Sequence, residues 1–122
     1  MSTPVGPYSP IVRAGSWLIC SGQLGLAPGP DGTAALVEGG PGPQLARAVA
    51  NAAGLLESAG GSLADVVKTT VFATDPADFP VVNEAYVAAF GGHRPARSMV
   101  AVSALPMGAA VEIEVWAHRD PG

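Results

Sequence analysis

The sequence predicts an α+β domain in the order ββαβαββ, with two helices packed on one face of a single sheet. Three observations carry this. β-Branched, strand-like runs occur near both ends and in the middle of the chain. Two longer stretches repeat apolar residues at the helical period. Each of these has one apolar face, so the pair most simply covers the same side of one sheet. The 122 residues suit a single domain spanning 1–122.

The elements follow in order. Gly6-Pro7-Tyr8-Ser9-Pro10 is a stiff, turn-prone opening that cannot join a central strand. Ile11-Val12-Arg13 and Trp17-Leu18-Ile19-Cys20-Ser21 read as strands of a hairpin turned at Ala14-Gly15-Ser16. Ser21-Gly22-Gln23 reads as a polar strand end with a glycine bulge. Leu24 to Gly42 is a Pro/Gly-rich loop of 19 residues, a length often functional or mobile. Pro43 opens a helix whose apolar positions Leu45, Ala48, Val49, Ala52, Leu55, Leu56 and Ala59 are stopped by Gly60-Gly61. Ser62-Leu63-Ala64-Asp65 resembles a capping box around a short turn. Val66 to Ala73 is β-branched and strand-like. Asp75 or Asp78 caps a second helix through Phe79 to Phe90, with Gly91 as its stop. Asn83 is a poor interior helix former, so it is either solvated or serves a site.

The last two strands, Ser98 to Val102 and Val111 to Val115, flank the turn Ala104-Leu105-Pro106-Met107-Gly108 and are expected to be neighbours. The sheet face away from the helices has no cover from this chain. It is expected to carry residues such as Val67, Val71 or Leu18, and so to associate with other copies.

Composition excludes several functions. Net charge is −4 and no basic patch exists, so no nucleic-acid partner is expected. The lone cysteine, Cys20, permits neither an intrachain disulfide nor a cysteine-based metal cluster, and reads as a small buried strand residue. No run approaches 18 apolar residues and no hydrophobic signal region opens the chain. A cytoplasmic protein without a membrane partner is expected. His93 and His118 lack partners at metal-ligand spacing, Ser21 has no His and Asp in triad order, and Lys68 reads as a solvated strand residue.

Charge is scarce, at 13% of residues, yet two arginines and two glutamates fall within positions 94–114. Val111, Ile113 and Val115 alternate with Glu112 and Glu114, placing both carboxylates on one strand face. If the last two strands pair antiparallel, Arg97 lies on the same sheet as Glu112. Two readings stand. One is a surface cross-strand ion pair, contributing about 0–1 kcal/mol. The other is a site in which a guanidinium grips a planar substrate acid and a carboxylate directs a water.

A run of short motifs separates them. Gly6-Pro7-Tyr8-Ser9, Ser21-Gly22-Gln23, Gln44 with Asn51, Val67-Lys68-Thr69-Thr70-Val71-Phe72, Asp78-Phe79 with Val82-Asn83-Glu84-Ala85-Tyr86, Pro95-Ala96-Arg97-Ser98, Leu105-Pro106-Met107-Gly108 and Val111-Glu112-Ile113-Glu114 occur in one order. From about Gly6 to Ala117 that order resembles the Rid family (YjgF/YER057c/UK114), the reactive-intermediate deaminases.

The resemblance implies a chorismate-mutase-like α+β fold and a homotrimer with clefts between subunits. It implies hydrolysis of enamines and imines such as 2-aminoacrylate, 2-iminopropanoate and 2-iminobutanoate to a 2-keto acid and ammonia, with no metal or organic cofactor. By the same resemblance Arg97 binds the carboxylate of a small substrate acid, Glu112 holds the attacking water, and Tyr8, Ser21 and Asn83 face the cleft. Met99 stands where the family often has cysteine. It offers no thiol, and only its backbone N–H could meet a carboxylate. Trp116 takes a position where an aliphatic residue is expected, as packing or as an altered cleft wall. Other readings are a non-catalytic trimer binding a keto acid and a hydrolase of a pathway-specific imine. A ribonuclease is disfavoured by the acidic charge.

Overall fold

The computed structural model describes residues 6–122. Its main sheet has five strands: β1 (Ile11–Ala14), β2 (Trp17–Leu24), β5 (Val66–Ala73), β6 (Ala96–Ala101) and β7 (Val111–His118). A separate hairpin is made by β3 (Leu26–Pro28) and β4 (Ala34–Leu36). The helices are α1 (Pro41–Ser58) and α2 (Phe79–Phe90). The order β1-β2-β7-β5-β6 gives the expected α+β architecture, with both helices against one face. No helix among the described residues is long and apolar enough to cross a membrane.

Strand β7 lies in the middle, antiparallel to β2 on one side and to β5 on the other. Its alternation sends Val111, Ile113, Val115 and Ala117 into the helix-covered core, where all four are fully buried. They meet Leu45, Val49, Ala52, Leu55 and Leu56 from α1, and Val82, Tyr86 and Phe90 from α2. Burying each such aliphatic side chain contributes about 1.5–3 kcal/mol.

The expectation that the last two strands are neighbours is corrected. β5 lies between them, and β6 pairs with β5 in parallel, Thr69 opposite Arg97. The reason is the crossover: α2 carries the chain back along the sheet, so β6 starts at the same end as β5. β6 is then an edge strand of the sheet, as β1 is at the other side, and β7 enters the middle. The expected uncovered face is corrected too. Leu18 and Val71 point to the helices and are fully buried; Val67, at a register shift in β5, is exposed. The open face carries Val12, Trp17, Trp116 and Val100 instead, all well exposed.

Two boundaries also move. β2 does not stop at Ser21-Gly22-Gln23. It runs through a bulge there, one residue being extra against β7, and pairs again at Gln23 and Leu24. The long loop is partly ordered as the β3–β4 hairpin, and α1 starts at Pro41 rather than Pro43. Asn51 on α1 donates to the carbonyls of Leu24 (3.1 Å) and Leu26 (3.0 Å), and Arg47 donates to Leu26 (3.0 Å). Gln44 accepts from the Ala110 backbone N–H at 2.9 Å. The capping box at Ser62 and Asp65 forms as read. Asp75 accepts from Ala77 N–H, while Asp78 sits at the N-cap of α2 with no side-chain bond.

Candidate functional site

Arg97 sits on β6, on the helix side of the sheet. Its guanidinium lies over the Tyr86 ring of α2, 4.8 Å from the centroid, a cation–π arrangement. Tyr86 is itself fixed. Its hydroxyl shares a 2.9 Å hydrogen bond with Thr69, which is fully buried on β5 directly opposite Arg97, and its ring packs on Phe90 at 4.6 Å. A buried hydroxyl pair of this kind is costly to break, so the ring is a rigid platform for the arginine fork.

Arg97 lines a shallow groove of about 280 Å³ with Asn83, Tyr86, Val87, Arg94 and Pro95. Asn83 lies one helical turn before Tyr86, so the two share a face of α2. Among the described residues the one ion pair joins Arg119 to Asp65 at 3.4 Å, and no carboxylate lies within that range of Arg97. The surface ion-pair reading of Arg97 with Glu112 therefore does not hold.

Glu112 is on the other face of the sheet. β5 separates its strand from β6, and its row on the sheet holds Phe72 and Val100, whereas Arg97 shares a row with Thr69 and Val115. Alternation leaves Glu112, Glu114 and Trp116 opposite the helices. The Glu112 carboxyl is partly buried and held above the usual carboxylate range, first by loss of solvent and second by repulsion from Glu114. It lies against the bulge: a Cβ placed on Gly22 would fall 2.6 Å from Glu112 Oε2. Gly22 is thus the residue whose missing side chain makes room for the carboxylate.

Beside it, Ser21 donates its hydroxyl to Ser9 O (2.7 Å), and its N–H bonds Pro10 O (2.8 Å). This ties the Tyr8 segment to the bulge and leaves the Tyr8 side chain exposed. The sequence-derived residues therefore form two groups. Tyr8, Ser21 and Glu112 gather around the β2 bulge, while Asn83 and Arg97 line the groove by α2. Met99 belongs to neither: it shares the Arg97 side of β6 but packs on the core and does not line the groove.

Sequence reasoning assigned no role to Tyr86 or Arg94. Tyr86 repeats at four-residue spacing with Val82 and Phe90 and reads as core; its three-residue offset from Asn83 is the signal that it also borders the groove. The remaining candidates behave as structural groups. Cys20 is buried, which pushes its thiol up to about 11. His93 bonds Val66 O at 2.6 Å. Lys68 donates to Ser98 Oγ at 2.8 Å. Trp116 meets Trp17 edge-on at 6.0 Å, and Trp17 meets His118 at 4.9 Å, an aromatic cluster on the open face.

Comparison with known proteins points to one family, whose members carry different names. The Endoribonuclease L-PSP family matches residues 1–119. A RutC family protein of Pyrococcus horikoshii is 40% identical over 117 residues, 96% of this chain and 90% of that protein. The 2-iminobutanoate/2-iminopropanoate deaminase of Mus musculus is 42% identical, covering 96% of this chain and 84% of the relative. The crystal structure of RidA from an Antarctic Psychrobacter superposes with a TM-score of 0.86 at 44% identity, covering 95% of this chain and 91% of that one. The fold, the ordered motifs and these matches agree: the chain belongs to the Endoribonuclease L-PSP family, which is the Rid (YjgF) family.

Proposed function

We propose that this protein hydrolyses small 2-imino acids, including 2-iminopropanoate and 2-iminobutanoate, to the 2-keto acid and ammonia. The observation that carries the reading is the Arg97 fork, held over Tyr86 at the edge of a groove and in no ion pair with a carboxylate among the described residues. Such a fork suits a substrate carboxylate, which it can bind through two parallel N–H···O bonds. The mammalian relatives' name, 2-iminobutanoate/2-iminopropanoate deaminase, supports the same reaction class. The family description as an endoribonuclease finds less support, because a chain of net charge −4 supplies no basic track for a phosphate backbone.

The chemistry is undemanding. An enamine tautomerises to its imine, water adds to the imine carbon, and the carbinolamine collapses with loss of ammonia. Arg97 fixes the carboxylate, which aligns the imine carbon. Glu112, as a carboxylate, takes a proton from the attacking water, a contribution of typically ~10²–10⁴-fold. Arg97 and Glu112 lie on opposite faces of one sheet, so a small substrate cannot touch both within one copy. We therefore propose a homotrimer as the working form, each cleft taking Arg97 and Asn83 from one subunit and Glu112, Ser21 and Tyr8 from its neighbour.

The test is 2-keto acid release from 2-aminoacrylate generated in situ. Wild type accelerates release, and Arg97→Ala loses about 100-fold in kcat/KM, the scale expected when a positioning contact is removed. Arg97→Lys keeps the charge without the planar fork and recovers little of it. If wild type gives no acceleration, the deaminase reading falls, and binding of a keto acid without turnover replaces it.

A further inference from the structure

The groove that holds Arg97 contains a second guanidinium, and it is built rather than incidental. Arg94 lines the same groove. Its Nη1 donates to the carbonyls of Gly91 and His93, the latter at 2.9 Å, at the C-terminal end of α2. A helix C-terminus carries partial negative charge and favours a cation there. This holds the head of a long, otherwise free side chain in one place. Arginine has five N–H donors, so the groups on Nε and Nη2 stay without partners among the described residues. Among the described residues no carboxylate forms an ion pair with Arg94 or Arg97. Two uncompensated cations on one groove of about 280 Å³ are more than a substrate with a single carboxylate requires.

From this we infer that the site prefers 2-imino acids whose side chain carries a second carboxylate, of the kind formed from aspartate or glutamate. The inference rests on the deaminase reading and names its substrate class. Arg97 takes the carboxylate beside the imine carbon, and Arg94 takes the distal one. The reaction is unchanged: the C=N bond is replaced by C=O, water supplies the oxygen, nitrogen leaves as ammonia, and nothing is oxidised or reduced. Arg94 is then a specificity-determining residue, and Val87 and Pro95 form the apolar wall along which the substrate's methylenes lie.

The experiment compares kcat/KM for imines made in situ by amino-acid oxidases from glutamate and from alanine. Wild type is measured beside Arg94→Gln and Arg94→Lys, with parallel calorimetric titrations of 2-oxoglutarate and 2-oxobutanoate. Wild type favours the glutamate-derived imine by about tenfold or more, the scale of one charge-assisted hydrogen-bonded contact. Arg94→Gln brings the ratio close to one, and Arg94→Lys restores part of it. Loss of the α2 cap alone lowers the melting temperature but does not move this ratio. Turnover of both imines with no preference, or a ratio that Arg94→Gln leaves in place, overturns the inference and leaves the deaminase reading intact. Tighter 2-oxoglutarate binding that depends on Arg94, with neither imine turned over, removes the deaminase reading and keeps the second anion site. Neither turnover nor selective binding overturns both.

Discussion

Burial and the neighbouring Glu114 both raise the Glu112 carboxyl, and this links the proposed catalysis to stability. A raised pKa means that the folded protein holds the Glu112 proton at pH values where the unfolded chain has lost it. Stability from this group is complete below the ordinary carboxylate range and is lost as pH rises through the raised value. Glu112→Gln should therefore melt higher than wild type at neutral pH, with the gap closing in acid, while its imine hydrolysis is lost. Wild-type activity should fall on the acid side as the base is protonated. A variant that melts lower at neutral pH would show that the carboxylate gains more from its contacts than it loses by burial. At this scale the motifs singled out Arg97 and Glu112, which the structure places on opposite faces of the sheet. Tyr86 was not singled out, because an aromatic at four-residue spacing between Val82 and Phe90 carries the same pattern whether it only fills the core or also supports a cation.

The elements were legible as elements, but their neighbours were not. The α1 periodicity, the first hairpin, the capping box and β5 follow from local pattern, which acts over a few residues. That β5 separates β6 from β7 follows from the parallel return through α2 and from the pairing of β7 along both edges, which are long-range facts. Strands consecutive in sequence are often neighbours, and here that default misleads. The loop after β2 was misread for a related reason: the residues that order it lie on α1. Asn51 donates to both Leu24 and Leu26. Asn51→Ala removes the side-chain donor to Leu24 O and one of the two to Leu26 O, which keeps Arg47, and is expected to cost about 1–3 kcal/mol. Hydrogen exchange should quicken first in β3 and β4. If exchange rises evenly over the sheet instead, Asn51 supports the core and not the hairpin.

At the scale of the whole molecule, one side of the sheet is sealed by helices and the other is open. Val12, Val100, Trp17 and Trp116 are exposed there, around the partly buried Glu112. Sedimentation velocity at micromolar concentration is expected to give a trimer, and Trp116→Asp to shift it towards smaller species with parallel loss of imine hydrolysis. A wild-type monomer that is fully active would remove the shared-cleft arrangement. The sequence foretold an open face from helix count alone. It missed which residues occupy that face: the Val66–Lys68 irregularity resets the alternation ahead of Val71, and Leu18 lies opposite the buried Ala117.

The central strand is also the last of the five to be synthesised. β7 supplies the rows that join β2 to β5, and pairs Trp17 with His118, roughly a hundred residues apart in sequence. Until β7 has left the ribosome, the hairpin of β1 and β2 and the pair of β5 and β6 are two unconnected ribbons with exposed edges. The helices have only half a floor to pack on. Folding of this chain therefore waits on β7, and a nascent chain halted before Val111 holds apolar helix faces open to whatever chaperone is nearby.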